Sequence, residues 1–315
     1  MEKVSIVIPV YKVEDYILNT LYSIVHQTYR NYEIILVDDG TTDRSIDVAE
    51  EFLEKQEGIE WKVIHQKNSG LSAARNKGIE NATGEWVICP DSDDYIDPRA
   101  VEEMIKAAKK TNVDCVFCGF KSVTIDRISE VDEIDTEILE LQSRELRKKF
   151  LNRDIILLVP GMLLKRTIYN DLRFSTSCPY DEDIHFLWRL LFLRDRFAYI
   201  PSKFYNYLCR NTSMVHTLKP EDYLKTSEEY RKLTIELLNR YPRAKKLIVK
   251  IHPKYRLGGL HVLSKSNEYA TFKSTVIKDG YRRDMEKLIF HSNAKLSAYA
   301  LLYCISLRAF YLISR

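Results

Sequence analysis

Asp91-Ser92-Asp93-Asp94 places three carboxylates within four residues. In extended backbone, side chains alternate, so Asp91 and Asp93 point to one side. Two such charges repel unless a cation joins them. A hard divalent cation takes oxygen ligands, and phosphate oxygens can complete its shell. Asp and Ser are also common in turns, so this spacing alone says little. A second cluster, Asp181-Glu182-Asp183, stands before the apolar run IHFLWRLL. Acids there stabilise a helix start through the macrodipole alone. The same acids are candidates for general-base work, and their crowding raises one pKa toward neutrality. A third segment, YNYLCRNTSMVHT (205–217), mixes aromatic residues with Arg210, Ser213 and His216.

These residues need elements to hold them. VSIVIPVY (4–11) reads as a buried strand, and residues 14–27 have helical spacing at Ile17, Leu18, Leu21, Ile24 and Val25. YEIILVDDG (32–40) is a second strand, and Asp43 caps a helix over about 44–56. Strands follow at 61–65, 85–89 and 114–120, with helices at 71–81 and 99–110, the latter opened by Pro98. This alternation implies an α/β fold with a parallel sheet and helices on both faces. Ligands bind such sheets at the carboxyl ends of the strands, and each of the polar clusters between 38 and 94 follows a strand. The acidic stretch 121–142 reads as a hairpin, 144–152 as a helix and 161–169 as a strand and turn. A helix over 184–194, short strands at 198–200 and 204–208, and helices from Pro220 onward complete the pattern.

The 315 residues carry a net charge of +3, 45% hydrophobic and 30% charged residues, which suits a folded chain of two domains, or of one large domain with an appendage. The charge is divided. Residues 1–219 hold 29 lysines and arginines against 36 acids, and residues 220–315 hold 19 against nine. An acidic body with a basic tail points to an anionic partner for the tail. The expected domains are therefore 1–219, with halves 1–125 and 126–219, and a basic helical region 220–315. The six cysteines are scattered; Cys115 and Cys118 fall on opposite faces of a strand and read as reduced core residues. MEKVSIVIPVY does not read as a signal peptide, and the expected location is cytoplasmic.

IVIPVY, EIILVDDGTTD, QKNSGLSAARNKGI and ICPDSDD follow one another at close spacing. Together they resemble the family 2 glycosyltransferases, which have the GT-A nucleotide-diphospho-sugar transferase fold. The resemblance covers 1–125 strongly and 155–216 more loosely. It implies a Rossmann-like, mainly parallel sheet with a helical C-terminal region, a UDP-sugar donor and Mn²⁺ or Mg²⁺. By resemblance, Pro9 and Tyr11 border the uridine and Asp39 bonds the uracil. Asn68 and Arg75 contact nucleotide and diphosphate. Asp91 serves the ribose or the metal shell, Asp93 ligates the metal, and Asp94 faces the sugar. Glu182-Asp183 resembles the family's ED motif, whose aspartate, here Asp183, is the usual base. Asp181 in front leaves room for the role to fall on Asp181 or Glu182. Arg210 and Ser213 match a closing segment that can fold over the diphosphate, and His216 matches a further metal ligand in some relatives.

The resemblance implies inverting transfer of a hexose or N-acetylhexosamine to a hydroxyl of a glycan, carried by a lipid, in bacterial surface polysaccharide assembly. A nucleotidyltransferase is disfavoured because PVYKVED, after the first strand, has no glycine. The non-enzymatic alternative is a silent UDP-sugar-binding scaffold. Residues 237–267 contain eight lysines and arginines and no acid, and Leu296–Ile313 is nearly continuous apolar sequence. An uncharged run of twelve residues is short for a span. This favours peripheral contact of residues 237–315 with an anionic membrane face, with mutual helix packing as the alternative. No nucleic-acid recognition motif is present.

Overall fold

The computed structural model describes residues 2–135, 137–210, 219–266, 269–279 and 294–314. The first strand, β1 (Val4–Val10), is wholly buried, as its β-branched run demands. It lies between two parallel neighbours, β2 (Tyr32–Asp38) and β4 (Trp86–Ile88), and β2 pairs in parallel with β3 (Glu60–His65). Beyond β4 come β8 (Met162–Lys165), antiparallel to it, then β6 (Cys115–Val123), then β9 (Arg196–Leu208), parallel to β6. Two short strands, β5 (Tyr95–Ile96) and β7 (Leu139–Gln142), pair antiparallel with β9. The sheet is thus mixed and mainly parallel.

Alternate residues of β1 serve different faces. Val4, Ile6, Ile8 and Val10 join Ile34 and Leu36 in one core with α1 (Ile17–Val25), α2 (Ser45–Leu53) and α4 (Ala100–Thr111). Val7 and Val37 face α3 (Leu71–Glu80). There Gly78 lets the helix close on the sheet, because a Cβ would lie 2.2 Å from Val7 Cγ1 and 3.0 Å from Val37 Cγ2. Strand order reverses at β1, since β2 lies on one side and β4 on the other. Such a switch point opens a crevice at the strands' carboxyl ends.

Two expectations about the sheet change. The run 121–142 is not a hairpin: β6 continues to Val123, and β7 pairs with the start of β9 instead. The two strands read at 198–200 and 204–208 are one strand of 13 residues. Pro201-Ser202 interrupts the hydrophobic pattern but sits opposite an irregularity at Gly119. A Cβ at Gly119 would lie 2.3 Å from the Pro201 carbonyl oxygen, so glycine admits the bulge.

The chain divides into two units: Met1–Leu146, Ile156–Thr176 and Phe186–Arg210, and Arg147–Ile155, Ser177–His185 and Asn211–Arg315. The single cut expected at 219/220 is therefore replaced by several. Within the second unit, Lys254 donates to the Phe150 carbonyl and Tyr230 to Asp181, which gathers 147–155 and 177–185 with the later helices. Those helices are α7 (Pro220–Arg240), α8 (Lys245–Ile248), α9 (Ile251–Ser266), α10 (Tyr269–Asp279), α11 (Ala294–Ile305) and α12 (Leu307–Ser314). Tyr303, Phe310 and Tyr311 bury against Leu257, Leu260 and Phe272, so the apolar C-terminal stretch builds a helical core. Among the described residues, no helix is long and apolar enough to cross a membrane. Two further helices are α5 (Ser143–Asn152) and α6 (Glu182–Leu193).

Candidate active site

In the first unit the sequence's polar clusters meet at the carboxyl ends of β1, β2 and β4. The loops after β1 and β2 are tied together: the Lys12 amide donates to Thr41 Oγ1 at 2.8 Å and the Val13 amide to Ser45 Oγ at 2.8 Å. Pro9 is buried within β1, while Tyr11, just past its end, is exposed. Asp38 accepts from the Thr41 amide at 2.9 Å and contacts His65 Nδ1 at 2.9 Å.

Asp39 is buried and organises the loop before α3. Its Oδ1 accepts from Gln66 Nε2 at 2.7 Å and the Ser69 amide at 2.8 Å, and its Oδ2 from the Gly70 amide at 2.9 Å. A carboxylate has about four acceptor positions, so Oδ2 keeps room for one more donor. Gly40, at φ +67°, permits this closeness: a Cβ there would lie 2.9 Å from the Asn68 amide nitrogen. Asn68 itself is exposed.

Arg75 is buried on α3, one turn before Gly78. Its Nη2 donates to Asp91 Oδ1 at 2.6 Å, and its guanidinium lies 5.3 Å from the centre of the Phe174 ring. Phe174 is held in turn by Asn76, which donates to its carbonyl at 2.9 Å and accepts from its amide at 3.0 Å.

The acidic run is a turn rather than extended backbone. Its first two acids still feel each other. Burial and the Asp91 charge push the Asp93 carboxyl up to about 6, against the opposing pull of Arg210. Arg210 pairs with Asp93 and lies 4.8 Å from the Tyr16 ring centre. Each of the two acids thus already carries one arginine, so the site's demand for positive charge is evident. Two oxygen donors of this kind, with phosphate oxygens, fit a hard divalent ion. Among the described residues, no group of three or more His, Cys, Asp or Glu stands ready as a complete metal cage. Asp91 and Asp93 would hold such an ion only with further oxygens, which a diphosphate could supply.

Asp94 departs from its expected place toward the sugar. It is buried; Oδ2 accepts from the Tyr205 hydroxyl at 2.6 Å and Oδ1 from the Leu208 amide at 2.8 Å. Burial, then the Asp93 and Asp91 charges, push its carboxyl well above the usual range. Its carboxylate is spent on β9. Tyr205 also accepts from the Asp91 amide at 3.2 Å, so one hydroxyl links two acids of the turn. No signal in the sequence marks Tyr205, which reads as one more aromatic in a short strand.

In the second unit, Asp181 precedes α6 at φ +60°, and the His185 amide donates to its carbonyl at 3.0 Å. Burial, then the Asp183 charge, push the Asp181 carboxyl up to about 7. Asp183 Oδ1 accepts from the Ile184 amide at 2.7 Å, and both Glu182 and Asp183 are partly exposed. Nearby, Lys254 is buried, and burial with the Arg153 charge pushes its ammonium down to about 7. Ser213 and His216 lie outside the described residues.

A mixed, mainly parallel sheet flanked by helices, with its strand order reversing at β1 and a helical C-terminal region, is the GT-A arrangement. The chain belongs to glycosyl transferase family 2, whose family model matches residues 5–173. It is 34% identical over 217 residues to EpsH of Bacillus subtilis (strain 168), covering 67% of this chain and 62% of EpsH. It is 32% identical over 225 residues to glycosyltransferase GlyA of Streptococcus pneumoniae serotype 4, covering 68% of this chain and 31% of GlyA. The chain thus spans less than two thirds of either relative. Its fold is similar to that of S. aureus TarS 1–349 in complex with UDP-GlcNAc, with a TM-score of 0.70 and 20% identity, covering 100% of this chain and 90% of that one.

Proposed function

We propose that this chain is an inverting glycosyltransferase. It moves a hexose or N-acetylhexosamine from a UDP-sugar to a hydroxyl of a lipid-carried glycan in bacterial surface polysaccharide assembly. The observation that carries the reading is the pair of arginine–aspartate contacts, Arg75–Asp91 and Arg210–Asp93, beside the loop held by Asp39. The TarS complex with UDP-GlcNAc favours an N-acetylhexosamine among the donors.

Departure of UDP builds negative charge on the diphosphate. Arg75 and Arg210 are the cations positioned to meet it. Asp93, with Asp91, would hold Mn²⁺ or Mg²⁺, which when bound supplies Lewis-acid stabilisation of that charge. Pro9, Tyr11 and Asn68 border the nucleoside, and Asp39 offers its remaining acceptor position to the uracil ring. Asp94 acts through Tyr205 by fixing the turn. Asp183 takes the proton of the attacking acceptor hydroxyl, with Glu182 beside it. His216 remains a proposed further ligand to the ion.

The basic C-terminal region makes peripheral contact with an anionic membrane face. Arg240, Arg243, Lys245 and Lys246 are exposed together around α8, and Leu312 and Ile313 are exposed on α12.

The test is UDP release from a panel of UDP-hexoses and UDP-N-acetylhexosamines with Mn²⁺. Slow release without acceptor, lost in Asp93→Ala, supports the reading. Binding of UDP with no release from any donor, with or without lipid-linked acceptor, would establish a silent binding protein instead.

A further inference from the structure

Tyr230 of α7 touches both ends of the first turn of α6. Its hydroxyl donates to Asp181 Oδ2 at 3.2 Å, and its ring meets the His185 ring edge-on, with centroids 6.2 Å apart at 60°. Glu182 and Asp183 lie between these two contacts. Tyr230 is itself fixed: it is buried and stacked on Tyr255 of α9, with centroids 4.8 Å apart and planes 7° apart. Tyr180, Tyr223 and Arg256 help to line a small cavity of about 10 Å³ beside Asp181 and Tyr230.

Asp181 joins two functions in one residue. Its carbonyl accepts the first backbone bond of α6, from the His185 amide. Its carboxylate accepts from Tyr230. Both depend on φ +60°, a left-handed conformation uncommon for residues with a Cβ and best tolerated by Asp and Asn. The chain therefore turns sharply just before the Glu182-Asp183 pair, and the turn is anchored from α7.

We propose that Asp181 and Tyr230 form a clamp that aims Asp183, making Asp181 a positioning residue rather than the base. This rests on the reading of Asp183 as base. A base must lie within hydrogen-bond reach of the proton it takes, and a displacement of about 1 Å can cost about 100-fold in rate. The clamp affects the acceptor's proton and not the nucleotide, so its loss lowers kcat and leaves UDP binding alone.

The variants separate backbone from side chain. Asp181→Asn keeps both the left-handed turn and an oxygen that accepts from Tyr230. Asp181→Gly keeps the turn and loses the tie, and Tyr230→Phe loses the tie from the other side. Turnover is measured with the sugar nucleotide from which the wild-type chain releases UDP fastest, and affinity with UDP itself. Asp181→Gly and Tyr230→Phe should each lower kcat about tenfold, and the double variant should fall no further. Asp181→Asn should stay within about threefold of wild type, with UDP affinity unchanged in all.

Wild-type turnover in Asp181→Gly, or losses that multiply to about 100-fold in the double variant, would overturn the clamp. Amide exchange at residues 184–187 is an independent readout that needs no donor: it should quicken in Asp181→Gly and Tyr230→Phe and not in Asp181→Asn. Exchange unchanged in the first two would equally overturn it. Retained transfer in Asp183→Asn would remove the base reading, while the exchange rates still decide whether the clamp exists.

Discussion

Arg210 closes on Asp93, with its guanidinium over the Tyr16 ring, so the acid expected to ligate a metal is held by a side chain of the same molecule. A metal ion bound by Asp93 would compete with Arg210 for one carboxylate unless a diphosphate offered the arginine a second anion. Arg210→Ala should therefore let Mn²⁺ alone bind about fivefold tighter, the equivalent of about 1 kcal/mol for a partly exposed pair. The same change should weaken UDP binding in the presence of Mn²⁺. Electron paramagnetic resonance of free Mn²⁺ and calorimetry with UDP measure the two effects. Equal weakening of both would show that the pair does not oppose the metal.

Asp183→Asn should lower transfer by about 100-fold to 10,000-fold, the usual contribution of a general base. UDP affinity should stay within about twofold, because the base acts only on the acceptor. If nucleotide binding collapses with transfer, Asp183 has another role.

Gly78 and Arg75 share a helix face one turn apart. Gly78→Ala should push α3 off β1, at a cost of about 1–3 kcal/mol for overpacking. The shift should also loosen Arg75 from Asp91 and weaken UDP binding. Thermal melting and UDP calorimetry should fall together; a lower melting point with unchanged UDP affinity would uncouple them.

Glu33 sits at the opposite end of β2. Burial opposes its ionisation, but Ser5, the Thr83 amide and hydroxyl, and Lys62 outweigh it and pull the carboxyl down to about 2. An acid with a lowered folded pKa contributes stability above its unfolded pKa and loses it as pH falls through the folded value. That contribution should fade between about pH 4.5 and pH 2. Glu33→Gln should cost roughly 1–3 kcal/mol at neutral pH and flatten this part of the stability curve. Denaturant midpoints measured across that range provide the check; an unaltered slope in the variant would discount the carboxylate.

Binding of the exposed α8 cations to an anionic bilayer should be worth about 1 kcal/mol per residue. Arg243→Glu, Lys245→Glu and Lys246→Glu together should release the chain from vesicles rich in phosphatidylglycerol. Sedimentation with such vesicles, set against neutral phosphatidylcholine ones, reads the change. Equal retention of variant and wild type would rule out this surface as the membrane contact.

Much of the sheet was legible because β1, β2, β4 and β6 are continuous apolar runs, and the turn residues after the first three mark the switch point. The Asp43 cap was misplaced by one residue: Arg44 is the N-cap of α2, and Asp43, just before it, accepts from the Ser45 amide and hydroxyl instead. The parts that escaped depend on distant partners. Asp94 reads as one more acid in DSDD, and only pairing across 111 residues with Tyr205 turns it inward. Gly119 looks like an ordinary strand glycine until Pro201 stands opposite it. Asp181 reads as a crowded neighbour of the ED pair, since its partner Tyr230 lies 49 residues away.

The bulge in β9 makes that strand intolerant of phase errors. Past Ser202, two successive side chains on opposite faces are committed: Tyr205 serves the DSDD turn, and Asn206 donates to the Ile128 and Glu130 carbonyls. Losing a single residue between 201 and 204 would exchange these two addresses, sending an amide where a phenol is required. The link before β9 is equally tight, because only Arg194 and Asp195 separate it from α6 and the Asp195 carbonyl accepts from the Ser143 amide at 2.7 Å.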